Sequence, residues 1–107
     1  MPGVDLNYFI RQANKLNEKR EQRIVELTDE TLEAKATGDG LVSAASNGMG
    51  DQIKKLTIDK KIVDPNDIAM LEDLVTAAVN AALAAGKQHR EAELSKLTQG
   101  VKIPGFT

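Results

Sequence analysis

Residues 38–51 read Gly38-Asp39-Gly40-Leu41-Val42-Ser43-Ala44-Ala45-Ser46-Asn47-Gly48-Met49-Gly50-Asp51, with four glycines in two Gly-x-Gly pairs. Glycine pairs of this kind either cradle a phosphate or turn the chain. A dinucleotide fingerprint requires a third glycine and a helix after the turn. Here Gly40 is followed by Leu41-Val42-Ser43, a strand pattern, so no helix dipole points at a phosphate. No Gly-Lys-Ser/Thr follows either. Asn47-Gly48 is a hairpin signal, because both residues tolerate positive φ. The stretch therefore reads as a strand with a turn at each end.

Working outward, Thr31–Thr37, Leu41–Ser46 and Ile53–Ile58 are short, partly alternating segments separated by turn residues. They predict three strands in an antiparallel meander. Leu32, Ala34 and Ala36 are expected on one face of the first strand, with Glu33, Lys35 and Thr37 on the other. The third segment, with Ile53, Leu56 and Ile58, breaks alternation and suits a bulge.

Helices flank the meander. From about Asp5 to Leu27, Phe9, Ala13, Leu16, Ile24 and Leu27 recur at helical spacing, and Asp5 is the candidate N-cap. The stripe is thin and polar in its middle, so this helix is expected to be only partly buried. Asp64-Pro65-Asn66-Asp67 opens the second helix, with Asp64 as candidate N-cap and Pro65 at the first helical position. That helix is expected to run at least to Ala85; whether it ends at Gly86 or passes through it to about Leu97, with Gly100 and Pro104 as stop signals, is left open by the sequence. The order is α-β-β-β-α, an α+β fold with a three-stranded antiparallel sheet and two long helices. Its 107 residues make a single domain, residues 1–107.

Composition limits the chemistry. Aromatics are 3% of residues and tryptophan is absent, so the core must be aliphatic. Cysteine is absent, which removes disulfides, thiolate nucleophiles and cysteine metal sites. The first residues, Met-Pro-Gly-Val-Asp, lack the pattern of a secretory signal. No unbroken apolar run approaches the roughly 18 residues of a membrane span. A soluble cytoplasmic protein with no membrane partner is the expectation. His89 is the only histidine, and it reads as a solvated helix residue beside Lys87 and Arg90. With no acid–base, nucleophilic or metal constellation, the chain is not expected to be an enzyme, to hold a cofactor or metal, or to take a small-molecule substrate.

On a helical wheel, the polar residues Glu72, Asp73, Thr76 and Asn80 of the second helix fall within an arc of roughly 100°. Two apolar seams remain. Ile68, Leu71, Val75, Ala78, Ala82 and Ala85 form one, and Met70, Leu74, Ala77, Ala81 and Ala84 form the other. One small sheet covers one seam. A second copy of the chain is expected on the other, where alanines allow close approach, which predicts a two-fold homodimer. The alternative is that the first helix covers this seam within a monomer.

The net charge is −2, but it is sorted along the chain. Arg11, Lys15, Lys19 and Arg23 are spaced four apart on the first helix, with Arg20 beside them. Like charges at this spacing repel by a few tenths of a kcal/mol per pair, which suits a phosphate track more than a stabilised surface. An ordinary solvated face is the competing reading. Lys87 and Arg90, with the thin stripe Leu83, Leu94 and Leu97, make the end of the second helix a complement if the two helices run antiparallel.

The runs GDGLVSAASNGMGDQIKKLTID, DPNDIAMLEDLVTAAVNAAL and LSKLTQGVKIPGF resemble the YbaB/EbfC family of bacterial nucleoid-associated proteins, over roughly Leu32 to Phe106. The resemblance implies a tweezer-like αβββα homodimer in the cytoplasm, on the nucleoid, that binds double-stranded DNA with little sequence specificity. It implies DNA contact through basic residues near exposed helix ends, here Arg11, Lys15 and Lys19 on the first helix and Lys87 and Arg90 on the second. The first 27 residues, MPGVDLNYFIRQANKLNEKREQRIVEL, depart from the family's Gly- and Lys-rich N-terminus. The alternative function is a dimeric protein-interaction scaffold or regulator with weak or no DNA binding.

Overall fold

The computed structural model describes residues 5–99. Helix α1 (Leu6–Asp29) is followed by strands β1 (Lys35–Thr37), β2 (Val42–Ser46) and β3 (Ile53–Ile58), then helix α2 (Ile68–Ser95). Single 3-10 turns at Lys60–Ile62 and Lys96–Thr98 precede and end α2. The strands form one antiparallel sheet in the order β1-β2-β3, as the meander predicts. Gly100 and Pro104, the expected stop signals, lie outside the described residues.

Each helix starts on an aspartate. The Asp5 carboxylate accepts the Asn7 backbone N–H at 2.9 Å, as its place at the head of α1 predicts. At α2 the cap is Asp67, not Asp64, and its side chain accepts the Met70 N–H at 3.2 Å. Asp64 instead closes the preceding turn, accepting Asn66 N–H on its carboxylate and Asp67 N–H on its carbonyl. Two aspartates three apart can each cap; the one whose carboxylate reaches the third helical N–H starts the helix, which shifts the start by three residues.

The bulge lies in β3. Ala45 pairs with Lys55 and Ser46 with Ile53, so Lys54 is the extra residue. The first strand is shorter than its pattern. Thr31 makes an isolated bridge to Asn47, and regular pairing begins only at Lys35. The expected face is also reversed. Thr37 pairs with Val42 and its hydroxyl donates to the Leu74 carbonyl at 3.1 Å, so Thr37 faces α2, while Ala34 and Ala36 are exposed. A threonine that can reach a helix carbonyl sets the register here more firmly than two alanines with little area to bury.

The core is small and aliphatic. Val42 and Ala44 of β2 and Ala78 and Ala82 of α2 are buried together, with Ile53, Ile62, Leu71, Leu74, Val75 and Val79 packed around them. Four members of the first apolar seam, Leu71, Val75, Ala78 and Ala82, thus lie on the sheet. Leu27, at the end of α1, is the only buried residue of that helix. Full burial of one such leucine is worth about 1.5–3 kcal/mol. The rest of α1 is exposed or half-buried, as its thin stripe predicts.

Two glycine contacts join the β2–β3 hairpin to the helices. Gly48 donates its N–H to the Leu27 carbonyl at 2.8 Å, which ties the hairpin to the end of α1. Gly50, at φ +69°, lies against Gly86 in the middle of α2. Asn47 does not take the expected positive φ. It is buried and serves as a bracket, donating from Nδ2 to the Asp51 carboxylate at 2.7 Å and accepting the Asp51 N–H at 3.2 Å.

Candidate nucleic-acid interface

From this platform α1 and the second half of α2 run antiparallel. Glu30 meets His89, Arg23 meets Glu93, and further out Leu16 and Leu97 line one narrow cleft with Gln12, Lys15 and Lys19. The protein is 76 Å long and only 22 by 17 Å across, because these helices reach well beyond the small sheet.

The base of the arm is held by charge. Arg23 donates to Glu93 at 2.6 Å and to Glu30 at 3.2 Å, and lies 3.7 Å from Glu26. Lys96 approaches the other oxygen of Glu93. Hydrogen bonds from Lys96 and Arg23 lower the Glu93 carboxyl from its usual value to about 2. The hydrogen bond to Glu93, reinforced by the charges of Glu30, Glu93 and Glu26, raises the Arg23 guanidinium further above its usual value. His89 is not simply solvated: its Nε2 lies 3.1 Å from the Glu30 carboxylate, and the ring is half-buried.

This cluster divides the basic residues. Arg23 was expected on the phosphate ridge, but its guanidinium is occupied by carboxylates of both helices. The spacing of Glu26 three residues after Arg23 signals one of these pairs, but nothing local signals Glu93, 70 residues away. Arg11, Lys15, Lys19 and Arg20 are exposed and form no ion pair among the described residues. At 100° per residue Arg11, Lys15 and Lys19 share an arc of about 80°, and Arg20 lies roughly 100° further round. On α2, Lys87 is exposed and Arg90 half-buried, and neither forms an ion pair among the described residues.

A second surface is apolar. Met70, Ala77, Ala81 and Ala84 are exposed along α2, and α1 does not cover them. Leu74, of the same seam, is half-buried in the core, its side chain against Gly38. Sequence reasoning missed two further residues of exposed apolar surface. Leu56 and Ile58 pair with Ala44 and Val42, so they share the side of the sheet on which α2 lies, yet they are 44% and 37% exposed. Helix α2 packs on β2 and β1 and leaves β3 largely uncovered. By length and composition Ile68–Thr98 would also suffice to cross a membrane, unlike the unbroken runs considered above. In this fold the same apolarity is divided between the core seam and the exposed alanine seam.

A three-stranded antiparallel platform and two long helices, the first carrying exposed cations, define a small α+β protein. The YbaB/EbfC DNA-binding family matches residues 1–101, and the chain belongs to that family. It is 62% identical over 107 residues to a nucleoid-associated protein of Myxococcus xanthus, covering all of both chains. It is 47% identical over 103 residues to a nucleoid-associated protein of Anaeromyxobacter dehalogenans, covering 96% of this chain and 98% of that one. An uncharacterized protein of Helicobacter pylori has the same fold, with a TM-score of 0.72 at 18% identity, over 88% of this chain and 97% of that one. Family and relatives carry the names of DNA-binding and nucleoid-associated proteins, not of enzymes.

Proposed function

We propose that the protein is a nucleoid-associated binder of double-stranded DNA, active as a homodimer whose helical arms contact phosphates with little sequence specificity. The observation that carries the reading is the row Arg11, Lys15 and Lys19, exposed and free of ion pairs among the described residues on an arm that stands away from the core. Side chains of this type neutralise phosphates and release counterions without reading bases. Arg20, Lys87 and Arg90 extend the basic surface, while Arg23 holds the arm together. The exposed seam Met70, Ala77, Ala81 and Ala84 is a surface a second copy would cover, and Leu56 and Ile58 on β3 add a separate exposed apolar patch. The nucleoid location follows from the names of the relatives.

Fluorescence anisotropy with a labelled duplex at several salt concentrations tests this. With about three to five phosphate contacts on each of two arms, log K falls against log salt with a slope of about −5 to −9. Absence of binding at 50 mM salt, or binding indifferent to salt, overturns the proposal.

A further inference from the structure

Both aromatic residues among those described, Tyr8 and Phe9, sit at the outer end of α1, and neither belongs to the core. Their rings meet edge to face, with centroids 5.7 Å apart and planes at 71°. Phe9 turns toward the inner face of the arm and is half-buried, whereas Tyr8 is 50% exposed. At 100° per residue Tyr8 lies about 20° from Lys15 and Lys19 and about 60° from Arg11. It therefore lies beyond the outer end of the basic ridge and in line with it, about 17 Å along the helix from Lys19. Leu6 and Ile10, 69% and 49% exposed, lie about 160° from Tyr8 at this spacing, on the far side of the helix from the ridge.

An aromatic ring at the end of a phosphate track is how proteins hold an unstacked base: cations follow the backbone and the ring takes the base face. A continuous duplex offers its phosphates to the ridge but no open base face to the ring. We propose that Tyr8 stacks on an unpaired DNA base while Arg11 and Lys15 hold the neighbouring phosphates, so that the arms favour DNA with bulged or unpaired nucleotides over continuous duplex. This rests on the reading of the ridge as a phosphate track and adds to it a structural preference. DNA is favoured over a protein occupant by the cations directly behind the ring, with no carboxylate between Tyr8 and Lys15 in the sequence.

Tyr8 is the sole tyrosine and tryptophan is absent, so intrinsic emission reports on this one ring. The full-length protein is titrated at 50 mM salt with a continuous duplex and with a duplex of the same length carrying a three-nucleotide bulge. The bulged duplex should bind about 5- to 150-fold more tightly for one stacked base, and it should quench Tyr8 emission more than the continuous duplex does. Tyr8→Leu should abolish the difference while keeping duplex affinity and salt slope; Tyr8→Phe should preserve it, because the ring stacks without the hydroxyl. Equal affinity for the two duplexes, a preference that survives in Tyr8→Leu, or a loss in Tyr8→Phe overturns the stacking site and leaves the phosphate reading standing. Failure to bind either duplex overturns both. A fall in the light-scattering mass of Tyr8→Leu would make the tip a protein contact and also overturns the stacking site.

Discussion

Gly50 and Gly86 touch backbone to backbone, and this contact seats the β2–β3 hairpin on the middle of α2. A side chain on Gly50 would collide with the Lys87 nitrogen and the Leu83 carbonyl, and one on Gly86 with the Gly50 Cα and the Ser46 hydroxyl. The close approach explains a glycine in the interior of a 28-residue helix, where alanine would otherwise be preferred.

Gly86→Ala would stabilise an isolated helix by about 0.5–1 kcal/mol. Here it should destabilise the protein by about 1–3 kcal/mol, because the hairpin must move off α2. Gly50→Ala should cost at least as much, since φ is also positive. Gly40→Ala is the control: φ is +85° but no atom lies within 4 Å, so only the strain of about 1–2 kcal/mol applies. Urea unfolding followed by circular dichroism ranks the three.

The ridge is tested by reversing charge. Arg11→Glu with Lys15→Glu should weaken duplex binding and make the salt slope shallower by about two for each arm, while dimer mass and melting temperature stay unchanged. Loss of a protein partner with DNA binding intact would favour the scaffold alternative.

The exposed alanine seam gives a mass prediction. Light scattering at micromolar concentration should report twice 11.6 kDa. Ala77→Glu with Ala81→Glu should give the monomer mass, because two carboxylates would be buried without partners. A monomer mass for the unaltered protein would defeat the dimer.

The ion cluster predicts acid sensitivity. Glu93 is held at about 2 by Lys96 and Arg23, well below an unfolded-state carboxyl near 4.5. A carboxyl depressed in the folded state contributes stability above its unfolded value, and loses it as pH falls toward its folded value. Glu93→Gln should therefore lower the melting temperature at pH 7, and its deficit should shrink between pH 4.5 and 2. A deficit constant across that range would show that Glu93 acts by packing and not by charge. Because the cluster is partly open to solvent, the pH 7 deficit should also diminish in high salt.

The fold was legible wherever the signal is local. Turn glycines bound three strands, the break in alternation at Ile53–Ile58 marks the bulge, and Asp5 caps α1. Local signals also misplaced two features. Asp64 and Asp67 are equivalent as caps until the turn between them is built, and β1 takes its inward face from the Leu74 carbonyl, 37 residues away. The family pattern, running through the meander and the start of α2, was readable for the same reason as the strands: it follows the platform.

The candidate interface divides in the same way. The four-residue spacing of Arg11, Lys15 and Lys19 alone puts three cations on one helical face, since any helix over that span aligns them. Whether a given cation remains available depends on what the fold brings to it. Arg23 continues the same spacing, yet tertiary packing delivers Glu93 to it and occupies its charge, while the outer three have no such partner among the described residues. The glycines of residues 38–51 follow the same logic. The sequence alone determined that they turn the chain between strands. Only the tertiary structure decided that Gly50 is also a contact surface, because a missing side chain has its effect through the neighbour that comes close enough to need the space.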